Sequence, residues 1–128
     1  MCDLVHEIAH SFEETQPEEL YEDGLLQNEF LGKRQRLFTT LKIRNYPVRL
    51  HDFQNIDYDK EFDEFLYNTV GYEALGNMSH GLFISPYAAT SLREYFANAF
   101  EEFFVNDAKT VQTISPEVYK KILNYLDF

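Results

Sequence analysis

The 128-residue chain has no tryptophan and one cysteine, Cys2, so no internal disulfide is possible. A lone cysteine leaves the redox compartment open and leans toward the cytoplasm. No apolar run is long enough to span a bilayer. The apolar residues near the start are interrupted by His6, Glu7 and His10, which is not the pattern of a signal peptide. Residues 1–30 hold no Lys or Arg at all, against nine acids, and the whole chain carries a net charge of −11. Such a balance excludes nucleic acid or an anionic membrane as a partner held by bulk electrostatics. There is no internal repeat and no low-complexity segment.

What is present is an aromatic-rich chain, with 12 Phe and 9 Tyr, at the length of one domain spanning 1–128. Six of the eleven basic residues fall between 33 and 49: Lys33, Arg34, Arg36, Lys42, Arg44 and Arg49. They read as a segment that neutralises the acidic N-terminal part within the fold, and otherwise as a docking patch for an acidic partner.

Hydrophobic spacing predicts a mostly helical fold with at most a short strand pair around 36–50. Asp3 is a plausible cap for a first helix to Glu14, with Leu4, Ile8 and Phe12 at helical spacing. Pro17 breaks it and could open a short turn through Tyr21. Leu25, Leu26, Phe30, Lys33 and Leu37 mark an amphipathic helix reaching Leu41 or beyond. Thr39 to Leu50 is ambiguous: its β-branched residues and Pro47 would suit an edge strand. His51–Asp57 reads as loop, Asp59–Val70 as helix, and Gly71, Gly76 and Gly81 as punctuation of a loop-rich stretch ending at Ser85-Pro86. Thr90 or Ser91 caps a strongly apolar helix stopping near Asn106. Ser115-Pro116-Glu117 starts the last one.

The stretch His6-Glu7-Ile8-Ala9-His10 is the strongest chemical signal. On a helix, four residues of spacing set both imidazoles on one face, where two nitrogens can hold one zinc ion at ~2.0–2.1 Å. Glu7 could then face a water in the metal's open position and act as general base. The plain alternative is a pair of surface histidines. A catalytic zinc usually takes a third protein ligand; His51, His80 and many carboxylates are available, and spacing alone does not choose among them. Glu94 stands out as a carboxylate on a very apolar helix, where it is either at the solvent edge, paired with Arg93 or Lys60, or satisfied by a bound cation.

Glu94-Tyr95-Phe96-Ala97-Asn98-Ala99-Phe100 resembles the helix that supplies the third zinc ligand in the anthrax lethal factor and Pro-Pro endopeptidase group of zincin metallopeptidases. In that group the helix reads close to Glu-Phe-Phe-Ala-Glu-Ala-Phe and follows a His-Glu-x-x-His helix. Tyr87 stands seven residues before Glu94, at the spacing of a tyrosine that contributes to catalysis in lethal factor. Ser115-Pro116-Glu117-Val118-Tyr119 is similar to the small-residue-proline start of the group's final helix. The likeness covers residues 4–14 and roughly 85–126. It implies one zinc ion held by His6, His10 and Glu94, with Glu7 as general base and Tyr87 on the oxyanion or the leaving amine. The implied activity is that of a metalloendopeptidase acting on a protein or peptide.

Three departures accompany the likeness. Asn98 stands where the group has a second Glu, so an amide rather than a carboxylate would orient a ligating histidine. His10 and Glu94 are 84 positions apart, which implies an insertion. The sheet that zincins build upstream of the first helix has no counterpart here, so the chain reads as a fragment or a reduced form. That leaves a second class of function, a catalytically inactive zincin-derived module that binds or scaffolds. Neither substrate nor oligomeric state follows from the sequence.

Overall fold

The computed structural model describes residues 3–15 and 21–126, leaving aside the side chains of Asp3, His6, Thr15, Tyr125 and Leu126. The expected turn from Pro17 toward Tyr21 therefore lies mostly outside the described residues, as does Cys2. Every regular element described is helical. In chain order these are α1 (Asp3–Thr15), α2 (Leu25–Ile43), α3 (Leu50–Phe53), α4 (Lys60–Glu64), α5 (Tyr72–Met78), α6 (Leu92–Glu101), α7 (Ala108–Ile114) and α8 (Pro116–Leu126). Wider π-helical turns extend α4 through Phe65–Gly71 and α6 through Glu102–Asn106, and a 3₁₀ turn spans Pro86–Ala89. Among the described residues no helix is long and apolar enough to cross a membrane.

Local chemistry accounts for most boundaries. Asp59 Oδ1 accepts from the backbone N–H groups of Glu61 and Phe62, capping α4, and Ser91 Oγ accepts from Glu94 N, capping α6. Asp107 Oδ1 does the same for α7 from Lys109 N. The helix α2 runs straight through Thr39–Ile43, so no strand forms there. Helical continuity outweighs the β-branched pair because Leu37 and Leu41 are needed on its buried face. The hydroxyls of Thr39 and Thr40 bond back to Gln35 O and Arg36 O within the helix. α2 ends with Asn45 in the left-handed region (φ 67°), Tyr46 N bonding Leu41 O and Asn45 N bonding Lys42 O. Two further expectations change: Leu50–Phe53 is a short helix within the expected loop, and the glycine-punctuated stretch contains α5.

The core gathers the apolar faces of α1, α2 and α6, with α8 behind them. Phe30, Phe83 and Tyr95 form one aromatic group and Phe38, Phe53 and Phe62 another. Between them lies Arg34, 1% exposed. Its guanidinium sits 4.7 Å from the Phe30 ring centroid and 4.4 Å from that of Phe62. Burial pushes its pKa down to about 9. Its donors reach five main-chain carbonyls: Ala89 (2.6 Å), Thr90 (2.9 Å), Asn55 (3.2 Å), Phe53 (3.3 Å) and Asp52 (3.5 Å).

Among the described residues the basic cluster is divided in its use: Lys33 offsets the charge of Glu29, one of the N-terminal acids, and others serve elsewhere. Arg34 is spent on carbonyls, Lys42 lies over the Phe38 ring and Arg49 pairs with Asp52. Other N-terminal acids meet cations from later in the chain: Arg93 reaches Glu13 at 2.7 Å and Glu14 at 3.8 Å, and Lys121 reaches Asp23 at 2.6 Å.

Candidate functional site

Helix α1 packs across α6. Phe12 stacks on Phe96 and Phe100, with ring centroids 6.0 and 6.5 Å apart. One turn from Phe12 on the same helix, Ala9 is fully buried, which lets the two backbones approach closely. Near the start of α6 Arg93 joins Glu13, and from the next position Glu94 Oε1 stands 3.3 Å from His10 Nε2. The histidine and glutamate side chains are 23% and 14% exposed, so the pair is largely shielded from bulk solvent.

Both of the structural partners expected for Glu94 are otherwise engaged. Arg93 points back to α1, and Lys60 lies 3.9 Å from Glu64. His6 is one helical turn from His10 in α1, and its side chain lies outside the described residues. Glu7, three residues before His10, is exposed. Among the described residues no three His, Cys, Asp or Glu side chains converge on a point that could hold a metal. His51 is almost fully exposed beside Asp52, and His80 is exposed on the loop after α5.

Tyr87 sits in the 3₁₀ turn just before α6, and that turn is held from several sides. Thr90 N and Oγ1 both donate to Tyr87 O, at 3.1 and 2.8 Å, and Ala88 N donates to Ser85 O. Arg34 grips the next two carbonyls, Ala89 and Thr90, and Leu92 N donates to Ile56 O. Burial, followed by the negative charges of Glu94 and Asp63, raises the Tyr87 pKa. The phenol is accordingly a neutral O–H donor at physiological pH.

Asn98 makes two hydrogen bonds within its own neighbourhood. Its Nδ2 donates to Glu94 O (2.8 Å) and its Oδ1 accepts from Ser85 Oγ (2.7 Å). The amide therefore ties the Ser85-Pro86 corner to α6, fixing where Tyr87 enters.

Two supporting groups were not singled out by the motif. Arg34 has one signal in the sequence: it sits four residues after Phe30 and seven before Leu41, on the apolar face of α2. Glu29 is the other. Its Oε2 accepts from Tyr95 OH (2.9 Å) and its Oε1 from Glu117 N (3.1 Å), so one carboxylate joins α2, α6 and the start of α8. Burial raises its pKa despite these bonds.

Compared with protein-family models, curated proteins and solved structures, the chain matches none.

Proposed function

We propose that this protein is a zinc-dependent metalloendopeptidase of the zincin type, similar to the anthrax lethal factor and Pro-Pro endopeptidase group. The observation that carries the reading is the meeting of His10 and Glu94, 84 positions apart in sequence, at 3.3 Å across the α1–α6 seam. Two ligands at ~2.0–2.1 Å from one zinc, subtending a tetrahedral angle of about 109°, stand roughly 3.3–3.4 Å apart. The observed separation fits that, and it is long for a direct charge-assisted N–H···O bond, which runs to ~2.7–2.9 Å. An imidazole nitrogen and a carboxylate oxygen are also the donor chemistry that zinc accepts. His6, one turn before His10, would be the third ligand.

When bound, zinc would polarise the scissile carbonyl and lower the pKa of the attacking water to about 7. The chain's own residues supply the rest. Glu7, on the open side of α1, takes the water's proton and later delivers it to the leaving nitrogen. Tyr87, kept protonated by its surroundings, donates a hydrogen bond to the developing oxyanion or assists the leaving amine. Asn98, Thr90 and Arg34 hold the Tyr87 turn in place. The second reading, an inactive zincin-derived binding module, is favoured by Asn98, an uncharged amide where the group has a second Glu.

Metal content on protein purified without chelator tests the proposal. About one zinc per chain is expected in the parent, with loss in His6→Ala, His10→Ala and Glu94→Ala. Glu7→Gln should retain the metal and abolish hydrolysis of a mixed peptide library. A parent chain that binds no zinc at micromolar concentration would overturn the peptidase reading. Zinc binding without any Glu7-dependent cleavage would leave the binding module.

A further inference from the structure

Beside Tyr87 the surface opens into a notch of about 280 Å³ lined by Asp63, Glu64, Tyr67, Tyr72 and Tyr87. Three of its five lining residues are aromatic and the other two are acids. Tyr67 and Tyr72 stand edge to face, with centroids 5.1 Å apart and an interplanar angle of 85°, forming a corner. Tyr87 comes from a separate element, the 3₁₀ turn before α6. Asp63 is fixed at the rim: Tyr58 OH and Tyr72 OH donate to its two oxygens, each at 2.8 Å. Tyr67 is 61% exposed, so the corner is open to a ligand.

We propose that this notch binds a positively charged side chain, lysine or arginine, presented by a polypeptide. Aromatic faces attract cations through the ring quadrupole, and two carboxylates at the mouth neutralise the charge as it is desolvated. An anionic ligand would meet both carboxylates and a chain of net charge −11. A purely apolar side chain could touch the rings but would gain nothing from the two negative charges. The nearby cation of the chain itself, Lys60, lies 3.9 Å from Glu64 Oε1 on the exposed surface and pairs with that acid only loosely.

Tyr87 belongs both to this notch and to the neighbourhood of Glu94, and its hydroxyl feels the charge of Asp63 as well as that of Glu94. A peptide crossing the His10–Glu94 site could therefore reach the notch by way of Tyr87. That placement as a substrate subsite rests on the peptidase reading; cation binding does not.

The test uses the full chain with ring-labelled tyrosine, in chelator, and three capped amino acids as probes: acetyl-lysine methylamide, its arginine counterpart and the uncharged norleucine analogue. Saturable shifts of the Tyr67, Tyr72 and Tyr87 ring signals are expected with both charged probes, at clearly lower concentration than with norleucine. Tyr67→Ala, an exposed position whose loss spares the core, should weaken the charged probes about three- to fivefold. Asp63→Asn should weaken them further and leave norleucine unchanged. Equal binding of norleucine, or unmoved tyrosine signals with the charged probes, would overturn the proposal. Because no metal is present, failure of zinc binding and failure of the notch are read separately.

Discussion

Arg34 shows how much one side chain can organise. Its five carbonyl partners lie on two separate segments, the end of α3 with the loop after it and the 3₁₀ turn leading into α6. Removing the guanidinium orphans buried acceptors at about 1–3 kcal/mol each, partly relieved by relaxation. Arg34→Met should therefore cost at least ~3 kcal/mol in urea unfolding, and Arg34→Lys should fall in between, since an ammonium cannot reach the whole fan. A Met variant as stable as the parent would show that the carbonyls find water instead. Glu29 gives a pH signature. Burial raises its pKa in the fold, so between the ordinary carboxylate value and the raised one the folded state binds more protons than the unfolded chain. Stability from this group is present at low pH and falls as pH rises through that window. Glu29→Gln should flatten the slope there, as measured by unfolding free energy against pH; an unchanged slope would assign it to another acid.

At the scale of elements, the seam between α1 and α6 decides whether a site exists. Phe12 supplies its apolar contact and Arg93 its polar clamp on Glu13, which is 8% exposed. Arg93→Ala leaves that carboxylate half-buried beside Tyr21, whose own pKa is raised by burial and by Glu13. A loss of about 1–3 kcal/mol is expected. Zinc affinity should drop with it, although Arg93 is no ligand, because α1 would be free to shift relative to Glu94. A variant with lower stability and unaltered metal affinity would separate the clamp from the site. The same scale shows what was legible beforehand. Asp59 and Ser91 mark helix starts through local hydrogen bonding and Pro116 through its fixed φ, so their positions could be read from the chain. Thr39–Ile43 and the stretch holding α5 could not, because there the outcome depends on which face the core requires.

For the whole molecule, net charge dominates. With a formal charge of −11, self-repulsion works against the compact state. Raising ionic strength from about 0.01 to 0.15 M shortens the Debye length from ~30 to ~8 Å, which should raise Tm in a scan at neutral pH. A falling Tm would mean that specific pairs such as Lys121–Asp23 and Arg93–Glu13 outweigh the general repulsion. The basic residues between 33 and 49 illustrate how far composition alone predicts pairing. Proximity in sequence suggested that they offset the N-terminal acids, and Lys33 does so for Glu29, yet helix α2 turns Arg34 inward and sends Arg49 to a loop, while Arg93 and Lys121 reach Glu13, Glu14 and Asp23 from the C-terminal third.

The sequence by itself determined the helical character, most of the capped ends, and the presence of a His-Glu-x-x-His stretch and an acid on an apolar helix. These depend on spacing and short-range hydrogen bonding, which involve only a few neighbouring residues. Only the tertiary structure decided that His10 faces Glu94, that Arg93 and Lys60 leave that acid to the histidine, and that Arg34 is buried among carbonyls. Those outcomes depend on how two helices far apart in the chain cross, and the crossing is chosen by packing of side chains from the whole core.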